Sequence, residues 1–236
     1  MPNPLDAENH SVGEQPLFLN NLQTLSLHSS PFVAEILRRT PNLNKLKITS
    51  ESTSHWSAIV DSLISLKGLE TLQIAAATAS YPINTVMLVN LPNFEVLKAH
   101  CGFMGTNWIL NEDVVFQRLQ YLQIVFGYKL ERWEAASDNF PMLEQLFLYG
   151  LDLEEIPQSI GDIPTLKLIQ IENCSSTAVT SAKKIQEEQE SWGKYELQVW
   201  KRLLILYHFM EKKILDPVYY FLLLENEQTD NIDLHM

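Results

Sequence analysis

Large apolar residues recur along this chain in a fixed rhythm. One is followed by two variable positions, a second, two more, and then an apolar-x-apolar pair. The rhythm is carried by Leu19-Leu22-Leu25-Leu27, Leu43-Leu46-Ile48, Leu66-Leu69-Leu72-Ile74 and Leu91-Phe94-Leu97-Ala99. It continues through Phe116-Leu119-Leu122-Ile124, Phe140-Leu143-Leu146-Leu148 and Ile163-Leu166-Ile169-Ile171. With Leu22, Leu43, Leu69, Phe94, Leu119, Leu143 and Leu166 as anchors, successive copies lie 21, 26, 25, 25, 24 and 23 residues apart. The closing apolar-x-apolar step alternates with period two, which predicts one short strand with one buried face in each copy. No copy can bury that face alone. Stacking the copies joins the faces into one core and pairs the strands in a parallel sheet.

The spacing is the leucine-rich-repeat period. It predicts an α/β solenoid, a leucine-rich-repeat horseshoe of about seven irregular repeats. The parallel sheet would form its concave face, with short helices and loops on the convex face. Trp56, Ile59, Val60 and Leu63 at helical spacing predict a helix within His55–Ser65, and Val33, Ile36 and Leu37 a shorter one within Pro31–Arg39. Ala75–Asn90 and Gly102–Val115 read as irregular. The turn position that Asn or Cys fills in a regular repeat holds Ser30, Glu51, Ala77, Gly102, Gly127, Leu151 and Cys174, so only the last copy obeys the rule. The chain divides into a tail at 1–16, repeats over 17–176, a capping helix over 177–193 and an apolar tail over 194–236. Ser175 or Ser176 is the N-cap of the capping helix, and Gly193 its stop. The last segment is compatible with a helix up to Asp216-Pro217.

Strand alternation names three columns of side chains on the face opposite the core. The first is Thr24, Lys45, Thr71, Val96, Tyr121, Gln145 and Leu168. The second is Ser26, Lys47, Gln73, Lys98, Gln123, Phe147 and Gln170. The third is His28, Thr49, Ala75, His100, Val125, Tyr149 and Glu172. The richer, C-terminal half is the candidate protein-binding surface: Val96, Lys98, His100, Tyr121, Gln123, Val125, Gln145, Phe147, Tyr149, Leu168, Gln170 and Glu172. Aromatic groups in a contiguous exposed patch suit a protein interface, although cross-strand packing alone also places aromatics there.

Charge narrows the partners. The 236-residue chain has a formal net charge of -12, which argues against a nucleic-acid footprint. Residues 101–176 hold 11 Asp and Glu against 4 Lys and Arg, so a basic partner or a solvated acidic face is expected there. Lys201, Arg202, Lys212 and Lys213 flank an apolar run too short to span a bilayer. Interfacial membrane contact is one reading of this tail, and packing back on the last repeat is the stronger one. The first residues have no basic and no apolar stretch of a signal peptide. Cys101 and Cys174 sit about three strands, or about 14 Å, apart, too far for a disulfide. Both observations point to a cytoplasmic setting.

Catalytic motifs are missing. There is no phosphate loop, no C-x-x-C and no H-E-x-x-H, so no cofactor and no metal is expected. His100 beside Cys101 lacks an orienting carboxylate, with His100 read as outward and Cys101 at a turn. Asp152, Glu154 and Glu155 lack the alternating ligands and Gly turn of a calcium loop and read as a solvated turn.

From Leu91 onward the residues become more specific. Leu91-Pro92-Asn93-Phe94-Glu95-Val96-Leu97-Lys98, then Phe103-Met104-Gly105 and Trp108, resemble plant nucleotide-binding leucine-rich-repeat disease-resistance proteins of the late blight resistance type, from the nightshade family. Trp133-Glu134-Ala135-Ala136-Ser137-Asp138-Asn139-Phe140-Pro141 is similar to that group's W-x-A-x-S-D-x-F-P segment. So are Leu153-Glu154-Glu155-Ile156-Pro157, Ile160-Gly161-Asp162-Ile163-Pro164-Thr165-Leu166 and the stretch from Cys174 to Gln189 to their counterparts. The resemblance implies the C-terminal repeat region of an intracellular immune receptor. Such a region senses pathogen effectors or a guarded host protein and holds a nucleotide-binding switch module off. The coiled coil and phosphate loop of such receptors have no counterpart here, so nucleotide binding is not carried over and a fragment or truncated product is expected. A repeat-bearing adaptor for ubiquitin ligation would need an N-terminal recruiting module. An extracellular receptor ectodomain would need a signal peptide and paired flanking cysteines.

Overall fold

In the computed structural model the described residues are 17–50, 56–76, 88–100, 106–125 and 130–202. Each of the seven sequence copies supplies one strand to a single parallel sheet: β1 (Thr24–His28), β2 (Lys45–Ser50), β3 (Thr71–Ala76), β4 (Val96–His100), β6 (Tyr121–Val125), β8 (Gln145–Tyr149) and β9 (Leu168–Glu172). An eighth strand, β10 (Gln198–Arg202), pairs with β9. Two short strands, β5 (Asn107–Ile109) and β7 (Arg132–Glu134), form a separate parallel pair. The order β1-β2-β3-β4-β6-β8-β9-β10 follows the chain without a crossover between distant copies, so each copy rests on its sequence neighbours.

Register explains the period. Leu25, Leu46, Leu72, Leu97, Leu122, Leu146 and Ile169 stand opposite one another in successive strands, as do Leu27, Ile48, Ile74, Ala99, Ile124, Leu148 and Ile171. From Leu46 and Ile48 onward these rows are buried. Burying each such Leu or Ile contributes about 1.5–3 kcal/mol. The first row members, Leu25 and Leu27, are only partly buried because, among the described residues, β1 has a strand neighbour on one side alone. The ladder starts one residue before each strand, where the backbone N–H groups of Asn44, Glu70, Glu95, Gln120, Glu144 and Lys167 each donate to the preceding copy's carbonyl.

The other half of each copy differs. Helix α1 (Val33–Arg38) buries Val33 and Leu37, with Ile36 partly buried, and helix α2 (Trp56–Leu63) buries Ile59, Val60 and Leu63. Both lie where periodicity placed them. Gly102–Val115 is not wholly irregular, since it contains β5. There Trp108 pairs with Trp133 of β7, and the rings stack at 5.2 Å and 13°. Phe140 meets both edge-on and stacks on Phe116 at 5.3 Å. Aromatic bulk thus fills in β5–β7 the space that a helix fills in the early copies. Asn139, buried at the end of the 3-10 turn Ser137–Asn139, ties this layer down. Its Nδ2 donates to the carbonyls of Asn111 and Val114 at 2.9 and 2.8 Å, and its Oδ1 accepts from the Ala136 N–H at 2.6 Å.

The C-terminal end closes with α3 (Ser176–Ser191). Ser175 caps it, accepting from the Ala178 N–H at 3.2 Å, and Gly193 follows its end with φ 76°. Ala178, Ala182, Ile185 and Gln189 face inward. Gly161 lies against them so closely that a Cβ there would sit 2.7 Å from Ile185 Cγ2. The chain then returns to the sheet as β10. A helix is therefore not what Gln198–Arg202 form, and the reason is visible in the pairing. Val199 enters the row of Ile169, and Lys201 stands where Ile171 stands, so the open backbone edge of β9 is satisfied by one more strand. The remainder of the apolar tail, 203–236, lies outside the described residues, as do the N-terminal 1–16 and Cys101.

Candidate protein-binding face

The three columns named from alternation are the three rows of the sheet register on the side away from the Leu rows. Thr24, Lys45, Thr71, Val96, Tyr121, Gln145 and Leu168 are mutual partners, extended by Gln198. Ser26, Lys47, Gln73, Lys98, Gln123, Phe147 and Gln170 form the second row, extended by Trp200, and His28 to Glu172 the third.

Exposure divides them. Val96, Lys98, Tyr121, Gln145, Phe147, Leu168 and Gln170 are half-buried and reachable, and Trp200 is 50% exposed. The third column is not a surface beyond Thr49. Ala75, His100, Val125, Tyr149 and Glu172 are all buried, as are Gln73 and Gln123 of the second column. Alternation tells which side of a sheet a residue takes, whereas exposure depends on its flanking rows. In an in-register parallel stack with strands about 4.8 Å apart, bulky neighbours on both sides shut out water. His100 is thus not an outward histidine. It is 2% exposed between Ala75 and Val125. Burial, then the charges of Lys98 and Lys47, push its pKa down to about 3, so it is neutral.

The reachable part is organised by its aromatic pair. The Tyr121 and Phe147 rings stack at 4.9 Å, and Tyr121 Oη donates to Gln123 Oε1 at 3.2 Å. Lys98 Nζ lies 5.7 Å from the centre of the Tyr121 ring, within range of a cation–π attraction. At the far end Gln170 Nε2 donates to Glu172 Oε1 at 2.6 Å, and Asn173 Nδ2 donates to the Tyr149 hydroxyl at 2.9 Å. These bonds restrain the side chains of the face. Trp200 was missed in the sequence because the last recognisable copy ends at Ile171. Only the pairing of β10 brings it into the second row.

No cluster of His, Cys, Asp and Glu among the described residues could hold a metal. Cys174 is partly buried, its thiol donating to the Leu148 and Glu172 carbonyls at 3.5 and 3.3 Å. Burial pushes that thiol up to about 11, so it stays protonated. Asp152, Glu154 and Glu155 are exposed. Among the described residues no helix is long and apolar enough to cross a membrane.

No protein-family model matches the chain. Among curated proteins it is similar to late blight resistance proteins of Solanum demissum. Late blight resistance protein R1-A is 31% identical over 228 residues, covering 82% of this chain and 17% of its own length. The late blight resistance protein homolog R1B-16 is 29% identical over 80% of this chain and 17% of its own length. A third homolog from the same species is 28% identical over 93% of this chain and 32% of its own length. The chain therefore spans well under half the length of these relatives.

Proposed function

We propose that the chain is the leucine-rich-repeat recognition and regulatory region of a plant disease-resistance receptor of the late blight resistance type. It acts in the cytoplasm by binding protein, without catalysis. Its partners are a pathogen effector or guarded host protein and the nucleotide-binding module of the receptor. The observation that carries this reading is the reachable row of Val96, Tyr121, Phe147 and Leu168 on the sheet face, in a chain similar to resistance proteins over most of its length. The parallel sheet and the repeat period support a horseshoe whose concave face carries that row. An extended concave surface is what such stacks use to hold other macromolecules.

The test supplies the part of R1-A N-terminal to its matched region in trans and measures binding to this chain. The expected result is association weakened at least about tenfold by Phe147→Asp, the size expected for a central anchor, and unchanged by Glu187→Lys on the outer side of α3. Absence of association, or equal binding by both variants, overturns the regulatory reading. Micromolar ATP or ADP binding by calorimetry overturns the non-catalytic one.

A further inference from the structure

The face is opposite in charge to the molecule that carries it. The chain has 29 Asp and Glu against 17 Lys and Arg. Among the described side chains of the three columns, the ammonium groups are Lys45, Lys47 and Lys98, and the one carboxylate is Glu172. Glu172 is 6% exposed and takes a hydrogen bond from Gln170. Lys47 and Lys98 stand in one row on either side of Gln73, two strand spacings or about 10 Å apart. Lys98 in turn borders the Tyr121–Phe147 stack.

The acidic excess lies elsewhere. Glu70, Glu95 and Glu144 line the rim before the first column, and each is engaged. Glu70 accepts from Asn44 Nδ2 at 3.0 Å, Glu95 pairs with Arg118 at 2.9 Å and Glu144 with Lys167 at 2.8 Å. Glu112, Asp113, Asp152, Glu154 and Asp162 belong to connecting segments. The His100 pKa is depressed first by burial and then by the charges of Lys98 and Lys47.

We propose that this face docks an acidic polypeptide segment bearing an aromatic or branched aliphatic side chain. Its carboxylates would meet Lys47 and Lys98, and its apolar group the Tyr121–Phe147 step. The inference rests on the reading that this face binds protein, and it adds the partner's chemistry. A polypeptide suits the face better than a nucleic acid. Three ammonium groups offset few phosphates against a net charge of -12, while the amides of Gln145 and Gln170 match a peptide backbone in donors and acceptors.

The experiment uses the full chain and three fluorescein-labelled probes. One is a peptide of about 15 residues, long enough to cross the sheet at about 3.3 Å per residue, with Glu and Asp around a central Trp-Leu. The second replaces each acid by Lys, and the third is an oligothymidylate of equal length. The acidic peptide should bind more tightly than the other two, with affinity falling as salt rises. The double variant Lys47→Glu/Lys98→Glu should weaken it at least about tenfold. Lys183→Glu/Lys184→Glu on α3, with the same thermal midpoint, should not. Equal or tighter binding of the basic peptide overturns the proposal, as does an unaffected double variant. Tighter oligothymidylate binding lost in the same variant assigns the face to single-stranded nucleic acid and overturns it as well. If the R1-A region binds in a Phe147-dependent way that ignores both lysines, the recognition reading stands and the acidic-partner inference fails.

Discussion

Trp108 and Trp133 lie opposite each other in the β5–β7 pair and stack at 5.2 Å with ring planes 13° apart. Both are almost fully buried, and among the described residues neither indole N–H has a hydrogen-bond partner. The pair therefore contributes through area and ring stacking alone. Trp133→Ala should cost about 3–5 kcal/mol in denaturant melts, as for a large aromatic removed from a core. Trp133→Phe should cost less than about 1.5 kcal/mol, because it keeps most of the stack and removes an unsatisfied donor. Equal losses in the two variants would contradict the packing described.

Gly161 carries the close approach of α3 to the last copies. Its added Cβ would lie 2.7 Å from Ile185 Cγ2, so Gly161→Ala should destabilise by about 1–3 kcal/mol. In an Ile185→Ala background the same change should cost less, since the colliding methyl is gone. A double-mutant cycle by urea titration measures this coupling, and strict additivity would remove the contact as the cause.

His100 links stability to pH. Its pKa falls from 6.5 to about 3 on folding, first through burial and then through Lys98 and Lys47. Between those values the unfolded chain binds a proton that the folded chain does not. Stability is therefore fully present above about pH 6.5 and is lost as pH falls towards 3. Urea midpoints should drop between pH 7 and pH 5, before most carboxylates titrate, and His100→Gln should flatten that drop. An unchanged slope in the variant would place the proton elsewhere.

The two ends of the sheet should differ in local stability. Leu25 and Leu27 of β1 are partly buried, and Leu17 and Phe18 are 73% and 53% exposed. Leu146, Leu148, Ile169 and Ile171 are buried between neighbours, and α3 covers the end. Amide exchange should be fast in Thr24–His28 and slowest from Tyr121 to Glu172. Uniform protection from Leu25 onward would show that the β1 edge is closed.

Much of this architecture was legible in the sequence, because it depends on short-range pattern. The step from Leu22 to Leu166 placed seven of the eight strands of the sheet, and alternation within each strand told which residues share a row. Both follow from the geometry of a parallel ladder. The Ser175-Ser176 pair and Gly193 marked the ends of α3 for equally local reasons, a side-chain acceptor for a free N–H, which the structure assigns to Ser175, and a residue at ease with positive φ.

What the tertiary structure alone decided concerns neighbours more than 20 residues away. The burial of His100, Val125, Tyr149 and Glu172 depends on the rows beside them. The Trp108–Trp133 stack joins two copies whose connecting halves share no pattern, and β10 pairs beyond the last apolar copy. Charge is the clearest case. Residues 101–176 are acidic by composition, which left a solvated acidic face, or else a basic partner, as the reading for that half. The described carboxylates there fall on the rim (Glu144), in the separate strand β7 (Glu134), on connecting segments and short turns or, in Glu172, in a buried bond, and the reachable face keeps Lys45, Lys47 and Lys98. Composition sums charge along the chain, whereas a partner meets only the charges that folding brings to one surface.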